Sequence, residues 1–275
     1  MALSFVQTMI ALTSDVHGTL LCHRPATMFT HNKQLIILDA DGTTIDAYSA
    51  IERTFSQHGM TLGGEERFQK RRRLFKYLGG LKEFPINLKR QLGKQSRKQL
   101  INTLTEVYRT EALLYPGIAS FVQTLIDAPD VIVGIVTRNI TNEPEETLRQ
   151  LFLRHQIDVG QLDFLEHIPL HMEKTQTFRA LRERFGINPA RGYICGDEHK
   201  DYIAALGSGM HPFMVSYGFE DHQRLISKFD VPEEIISRTP SQLCTRVLHG
   251  TGLVGASETV AEPPAAPVVS LVSSS

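Results

Sequence analysis

Residues 35–46, Leu35-Ile36-Ile37-Leu38-Asp39-Ala40-Asp41-Gly42-Thr43-Thr44-Ile45-Asp46, constrain this chain more than any other stretch. Four consecutive apolar residues run straight into Asp-Ala-Asp-Gly-Thr. A short apolar run without alternating polar residues reads as a strand covered on both faces, the kind that fills parallel sheets. In extended chain, residues two apart project from the same side, so Asp39 and Asp41 can converge on one ligand. Gly42 permits a sharp turn and a close backbone approach. Two carboxylates at the carboxyl end of a buried strand stand where open α/β sheets bind ligands. Such a pair can hold a hard cation, supply a nucleophile or move a proton. The plainer alternative is a strand end with two solvated acids and a glycine turn.

The surroundings of this stretch narrow the classes. In 275 residues, 41% hydrophobic and 21% charged, there is room for one large domain or two small ones of ordinary globular balance. A net charge of −1 does not mark the whole molecule as a polyanion binder. Cys22, Cys195 and Cys244 are odd in number and far apart, which argues against a disulfide framework or a zinc cluster and suits a reducing cytoplasm. No apolar run reaches the roughly 18 residues of a membrane span, and the first residues lack the basic and continuous apolar regions of a signal peptide.

Residues 1–33 read as an extension. Within it, Asp15-Val16-His17-Gly18-Thr19 imitates the Asp-x-x-Gly-Thr pattern but lacks the second aspartate and a strong preceding strand, and Met28 is an alternative first residue. From 47 to 113 helical periodicities follow one another: 47–58 with Ile51 and Phe55, then 65–78, then about 95–113 with Leu100, Ile101, Leu104, Val107 and Tyr108 on one face. This insert, 47–114, holds 14 Lys and Arg against 6 Asp and Glu, densest at Lys70-Arg71-Arg72-Arg73 with Lys76. Most of these charges read as solvated helix faces. As a set they could form a funnel that concentrates a phosphorylated substrate over an acidic floor. No aromatic ladder accompanies them, so nucleic acid is not expected as a partner. Gly79-Gly80 breaks the helices and could form a substrate-reading loop.

Beyond the insert, Tyr115-Pro116-Gly117 turns the chain into a helix ending near Leu125. Val131 to Val136 is a second buried strand, closed by Thr137-Arg138-Asn139. A helix from about Glu143 to His155, a short strand over 162–168 and a helix opened by Lys174 follow. Gly192-Tyr193-Ile194-Cys195-Gly196-Asp197-Glu198-His199-Lys200-Asp201 is a strand that again ends in an acid, with Asp201 one helical turn further on the same side. Cys195 reads as a packing residue; Glu198 could contribute to the site but reads first as an exposed acid. Residues 211–218 supply a last strand and a turn, helices lie near 220–229 and 241–248, and 250–275 reads as a disordered tail. Alternating strands and helices point to a Rossmann-like parallel α/β core formed by 34–46 and 115–249. Four acids around one spot repel unless a cation is present, and magnesium suits oxygen ligands.

Leu38-Asp39-Ala40-Asp41-Gly42-Thr43-Thr44-Ile45-Asp46 resembles the first motif of the haloacid dehalogenase superfamily, in its phosphatase branch. Thr137 resembles the second motif, Lys174, 23 residues before Asp197, the third, and Gly196-Asp197-x-x-x-Asp201 the fourth. The match covers roughly 35–225. It departs at the third motif, where Lys174-Thr175 replaces the frequent Lys-Pro. The resemblance implies a core of that family with the 47–114 insert as a helical cap of the C1 type. It implies a magnesium-dependent phosphatase of a small phosphorylated metabolite, phosphoglycolate-like. Asp39 would be the nucleophile and Asp41 the acid and base. Thr137, Arg138, Asn139 and Lys174 would bind the phosphoryl group, and Asp39, Asp41, Asp197 and Asp201 would hold the metal. A phosphomutase of the same superfamily and a non-catalytic phosphate-binding protein are the alternatives. A dehalogenase needs neither Asp41 nor the metal, so Asp41 and Asp197 speak against it.

Overall fold

The computed structural model describes residues 32–60 and 97–253. The extension with its Asp15 motif, the helix expected at 65–78, the basic cluster from Lys70 to Lys76, the Gly79-Gly80 loop and the tail from 254 lie outside the described residues. Six parallel strands form one sheet in the order β3-β2-β1-β4-β5-β6. They are β1 (Gln34–Leu38), β2 (Val131–Thr137), β3 (Phe164–His167), β4 (Gly192–Gly196), β5 (His211–Val215) and β6 (Ile236–Ser237).

The apolar run of β1 explains the layers. Its side chains alternate between the two faces. Ile36 and Leu38 join one core with α1 (Ala47–Gln57), α2 (Arg97–Thr110), α3 (Ile118–Asp127), α4 (Pro144–Arg154) and α8 (Pro240–Gly250). Leu35 and Ile37 join the other, against Phe178 and Leu181 of α5 (Lys174–Arg184) and Ala204 and Ala205 of α6 (His199–Ser208). Helices therefore cover both faces of a strand whose four last residues are all buried. A third cluster seats Leu225 of α7 (His222–Phe229) on Met214 of β5.

β1 lies between β2 and β4, with Leu38 opposite Ile135 on one side and Cys195 on the other. The chain builds outward from β1 to β2 and β3, then crosses back to lay β4 beside β1. That reversal is the place where α/β sheets open a ligand crevice at their carboxyl ends. The expected strand and turn at 211–218 divide at Val215, but this strand is not the last: β6 follows it at the edge. Two residues are too short to show a period-2 pattern. Pro212 is tolerated in β5 because β6 pairs only with Met214 and Val215.

The two crossings between sheet and insert are tied to each other. Asp46 N donates to Leu113 O at 2.9 Å, Tyr115 N to Thr44 O at 3.0 Å, and Ile45 bridges Leu114. Asp46 also caps α1, accepting from Ser49 N at 3.0 Å. Among the described residues the insert between these crossings is helical, α1 packing on α2.

Candidate active site

One step beyond Leu38, Asp39 N donates to Cys195 O at 2.9 Å, so the ladder to β4 runs on to the first acid. The chain then folds over itself: Thr44 and Ile45 N both return to Ala40 O, at 3.0 and 2.9 Å. Gly42 makes this possible at φ +84°, a conformation that L side chains seldom adopt. A Cβ on Gly42 would stand 2.3 Å from Asp197 Oδ2. The glycine thus lets the β1 loop lie directly against the acid at the end of β4.

Lys174, the first residue of α5, is buried, not at the surface where an isolated lysine belongs. Its Nζ is 2.7 Å from Asp39 Oδ1 and 2.7 Å from Asp201 Oδ1. Asp201 in turn caps α6, its Oδ2 accepting from Glu198 N at 3.1 Å. Both oxygens of Asp201 therefore have protein partners, Lys174 and the start of α6.

Asp41 turns a different way from the other acids. Its Oδ1 accepts from Tyr108 Oη at 2.8 Å, and Asn139 Nδ2 reaches both of its oxygens at 3.1 and 3.0 Å. Asp39, Asp197 and Asp201 bring one oxygen each within 4.8 Å of one another, and the carboxyl of Asp41 is held by neutral donors, Tyr108 and Asn139.

Asp197 is fully buried. Phe219 N donates to its Oδ2 at 2.6 Å, and Thr43 Oγ1 to its Oδ1 at 3.4 Å. Gly218 lies against it so closely that a Cβ there would meet Gly42 O at 2.3 Å and Asp197 Oδ2 at 2.5 Å.

Burial costs such carboxylates dearly in their charged form. It lifts Asp39 to about 7, against the pull of Lys174 and with a further push from Asp201. Burial also lifts Asp197 well above the usual carboxylate range, reinforced by Asp39, Glu198 and Asp201. Asp41 is raised by burial as well, though Tyr108 and Asn139 favour its charged form. Burial opposes the charge on Lys174, but Asp201 and Asp39 outweigh it and hold the ammonium above its ordinary range. Three carboxylates thus lie together with one buried ammonium, which contacts Asp39 and Asp201. A divalent cation fits this donor set: oxygen ligands only, net negative, and tightly packed around Asp197.

The pattern of residues 36–215 matches the family model of the haloacid dehalogenase-like hydrolases. The chain belongs to that family. It is 26% identical over 219 residues to the phosphoglycolate phosphatase of Synechococcus elongatus, covering 78% of this chain and 97% of that one. Solved structures with the same fold include CbbY from Rhodobacter sphaeroides in complex with phosphate. That match has a TM-score of 0.52 at 17% identity, over 77% of this chain and 96% of that one. A Thermotoga maritima protein provisionally named a beta-phosphoglucomutase matches with a TM-score of 0.54 at 17% identity, over 78% and 99%.

The remaining expected residues of this haloacid dehalogenase-like hydrolase fall around the same spot. Thr137 ends β2, is fully buried, and accepts from Asn139 N at 3.0 Å. Arg138 reaches across to Glu198, 3.0 Å away. Glu198 is therefore not the exposed acid its sequence suggests: it is a half-buried partner at the start of α6. Arg138 and Glu198 follow strands β2 and β4, which flank β1, so their ion pair links the two strand ends on either side of β1. Cys195 is buried within β4, as expected of a packing residue.

Tyr108 is the site neighbour that sequence reasoning missed. It satisfies the apolar period of α2 and reads there as core, and it is indeed buried; only its hydroxyl leaves the core. At the start of α2, Arg97, Lys98, Ile101 and Asn102 line, with Asn142, a cleft of about 600 Å³. No helix among the described residues is long and apolar enough to cross a membrane.

Proposed function

We propose that the chain is a magnesium-dependent phosphatase that hydrolyses a small phosphate monoester through an aspartyl phosphate, with phosphoglycolate as the nearest model substrate. The observation that carries this reading is Lys174 held between Asp39 and Asp201, beside Asp197, at the carboxyl ends of adjacent strands. A carboxylate made nucleophilic, a fixed ammonium and a second acid two residues on are the parts that displacement at phosphorus requires.

In this reading an Asp39 carboxylate oxygen attacks phosphorus, and the bond from phosphorus to the ester oxygen breaks. Asp41 gives its proton to the departing oxygen. Asp41 then takes a proton from the water that attacks the aspartyl phosphate, the bond between Asp39 and phosphorus breaks, and phosphate leaves. Lys174 and Thr137 neutralise and hold phosphoryl oxygens. Asp39 and Asp197, with the main-chain oxygen of Asp41, would hold magnesium, and Asp201 would keep Lys174 in place. When bound, magnesium would offset charge building up on the phosphoryl oxygens.

Residues 47–114 act as a cap that excludes water and reads the leaving group. The 26% identity to the phosphoglycolate phosphatase of Synechococcus elongatus supports a phosphoglycolate-like ester. Two free cysteines among the described residues suit a cytoplasmic enzyme.

The test is phosphate release from phosphoglycolate, other phosphorylated metabolites and an aryl phosphate, with magnesium or chelator, for wild type and Asp39→Asn. Magnesium-dependent release that Asp39→Asn abolishes is the expected result. Isomerised sugar phosphate without net release would replace the reading by a mutase. Binding without turnover of any ester would replace it by a phosphate-binding protein.

A further inference from the structure

Tyr108 and Asn139 approach the same carboxylate from different parts of the chain. Tyr108 comes from the insert, its hydroxyl 2.8 Å from Asp41 Oδ1. Asn139 comes from the end of β2 and spans both oxygens. The orientation of the Asn139 amide is set by its other end, because its Oδ1 accepts from Thr141 N at 2.9 Å and from the Thr141 hydroxyl. Its nitrogen must then face Asp41. Its carbonyl is engaged too, 3.0 Å from His167 Nε2.

Tyr108 is fixed as firmly. Arg154 of α4 reaches under the end of α2, its Nη2 donating to Tyr108 O at 3.2 Å and to Ala112 O at 2.6 Å. Tyr108 O is in the last turn of α2, where carbonyls lack an intrahelical partner, and Ala112 O lies two residues past the helix end. One residue along, Arg109 Nε donates to Thr147 Oγ1 at 3.1 Å, and its Nη2 pairs with Glu143 at 2.9 Å. The last turns of α2 are thereby clamped to the core of the protein, so the Tyr108 hydroxyl is a fixed point above the site. The Asp41 carboxyl is thus held by two donors on separate elements, Asn139 across both oxygens and Tyr108 on one.

We propose that Tyr108 is a positioning residue, which with Asn139 fixes the Asp41 carboxyl in the orientation from which it passes its proton to the leaving oxygen. This rests on the phosphatase reading above. A tyrosine that merely fills the core would still seek a partner for its hydroxyl, and the two roles separate on leaving groups. An alkyl ester leaves as a strongly basic oxygen and needs its proton during bond cleavage. An aryl ester such as p-nitrophenyl phosphate leaves as a stable phenolate and hardly needs one.

The experiment compares kcat/KM for phosphoglycolate and p-nitrophenyl phosphate in wild type, Tyr108→Phe, Asp41→Asn and the double variant. The quantity kcat/KM reports the steps up to phosphoryl transfer to Asp39, before the aspartyl phosphate is hydrolysed. Tyr108→Phe keeps the ring and loses only the hydroxyl. The expected result is a loss of about tenfold on the alkyl ester and less than about twofold on the aryl ester, since a positioned general acid contributes about 100-fold or more in all. On the Asp41→Asn background the Tyr108 substitution should cost nothing further, as for two groups that act through one another. Equal losses on both esters, no loss on either, or additive losses in the double variant would overturn the proposal. If wild type cleaves neither ester, the phosphatase reading itself fails, and that outcome is distinct from the others.

Discussion

Lys174 and Asp201 meet at 2.7 Å between Nζ and Oδ1, and the same ammonium stands 2.7 Å from Asp39 Oδ1. One buried cation thus ties the start of α5 to the first turn of α6 and to the end of β1. Removing it should hurt stability and activity through different routes. Lys174→Met leaves two buried carboxylates without their counter-charge, a loss of about 3–5 kcal/mol in folding stability by the measure of broken buried pairs. Turnover of any ester should fall by about 100-fold or more, as for loss of one donor to a developing oxyanion. Urea unfolding and steady-state kinetics check the two halves separately. Full activity in Lys174→Met would remove the lysine from the site. Lys174→Arg should not rescue, since the longer forked guanidinium cannot occupy a pocket shaped for a point charge.

The burial that surrounds Asp39 and Asp197 also predicts how stability varies with pH. Asp39 ionises near 7 in the folded chain and near 3.9 in the unfolded one, and Asp197 is shifted in the same direction. Between those values the folded state holds more protons than the unfolded state, so stability falls as pH rises. In chelator, the thermal midpoint should therefore drop from about pH 4.5 to about pH 8. Magnesium should flatten the slope and raise the midpoint most at the alkaline end, where the carboxylates are charged and need it. A midpoint independent of pH in chelator, or a magnesium effect confined to acid pH, would count against a cation among these acids.

Gly218 separates packing from ligation. An added Cβ would meet the Gly42 carbonyl at 2.3 Å and the Asp197 side chain at 2.5 and 2.6 Å, and neither backbone nor buried acid can give way cheaply. Gly218→Ala should cost about 1–3 kcal/mol of stability, as overpacking does. By displacing Asp197 it should also weaken magnesium binding about tenfold or more. Gly59→Ala is the control: φ is +67° there but nothing lies within 4 Å. It should cost about 1 kcal/mol of strain without touching magnesium affinity, as read by calorimetric titration.

The residues legible in the sequence share one property: the signal is local. Asp39 and Asp197 each end a short apolar run, and burial of those runs on both faces follows from their composition alone. Lys174 carries no such mark; only its register against the first and fourth motifs brings it in, and its burial is the work of Asp39 and Asp201, far away in sequence. Tyr108 could not be read at all, because the period that places it in the core is satisfied by its ring, while the partner of its hydroxyl lies 67 residues away. Glu198 looked exposed because its partner, Arg138, sits on another strand end 60 residues back. β6 escaped because two residues carry no period.

The cleft at the start of α2 leads to a last prediction about substrate choice. Arg97 and Lys98 begin α2 and are exposed, and with Asn102 and Asn142 they line about 600 Å³ of space. Asn142 N is fixed by Thr105 Oγ1 at 2.8 Å and its side chain by Asn102 at 2.8 Å, so the polar wall has a defined shape. Cations placed there attract an anionic leaving group before and during the reaction alike, which is uniform binding. Such binding alters KM and leaves kcat nearly untouched. Lys98→Glu should therefore raise KM for phosphoglycolate about tenfold, with kcat within about twofold of wild type. For an aryl phosphate without a carboxylate the change in KM should be smaller, and the difference between the two esters should shrink as salt is added, since exposed charges are screened. An equal rise in KM for both esters would mean that the cleft attracts only the phosphoryl group. A fall in kcat with unchanged KM would mean that α2 acts on the reacting centre and not on the leaving group.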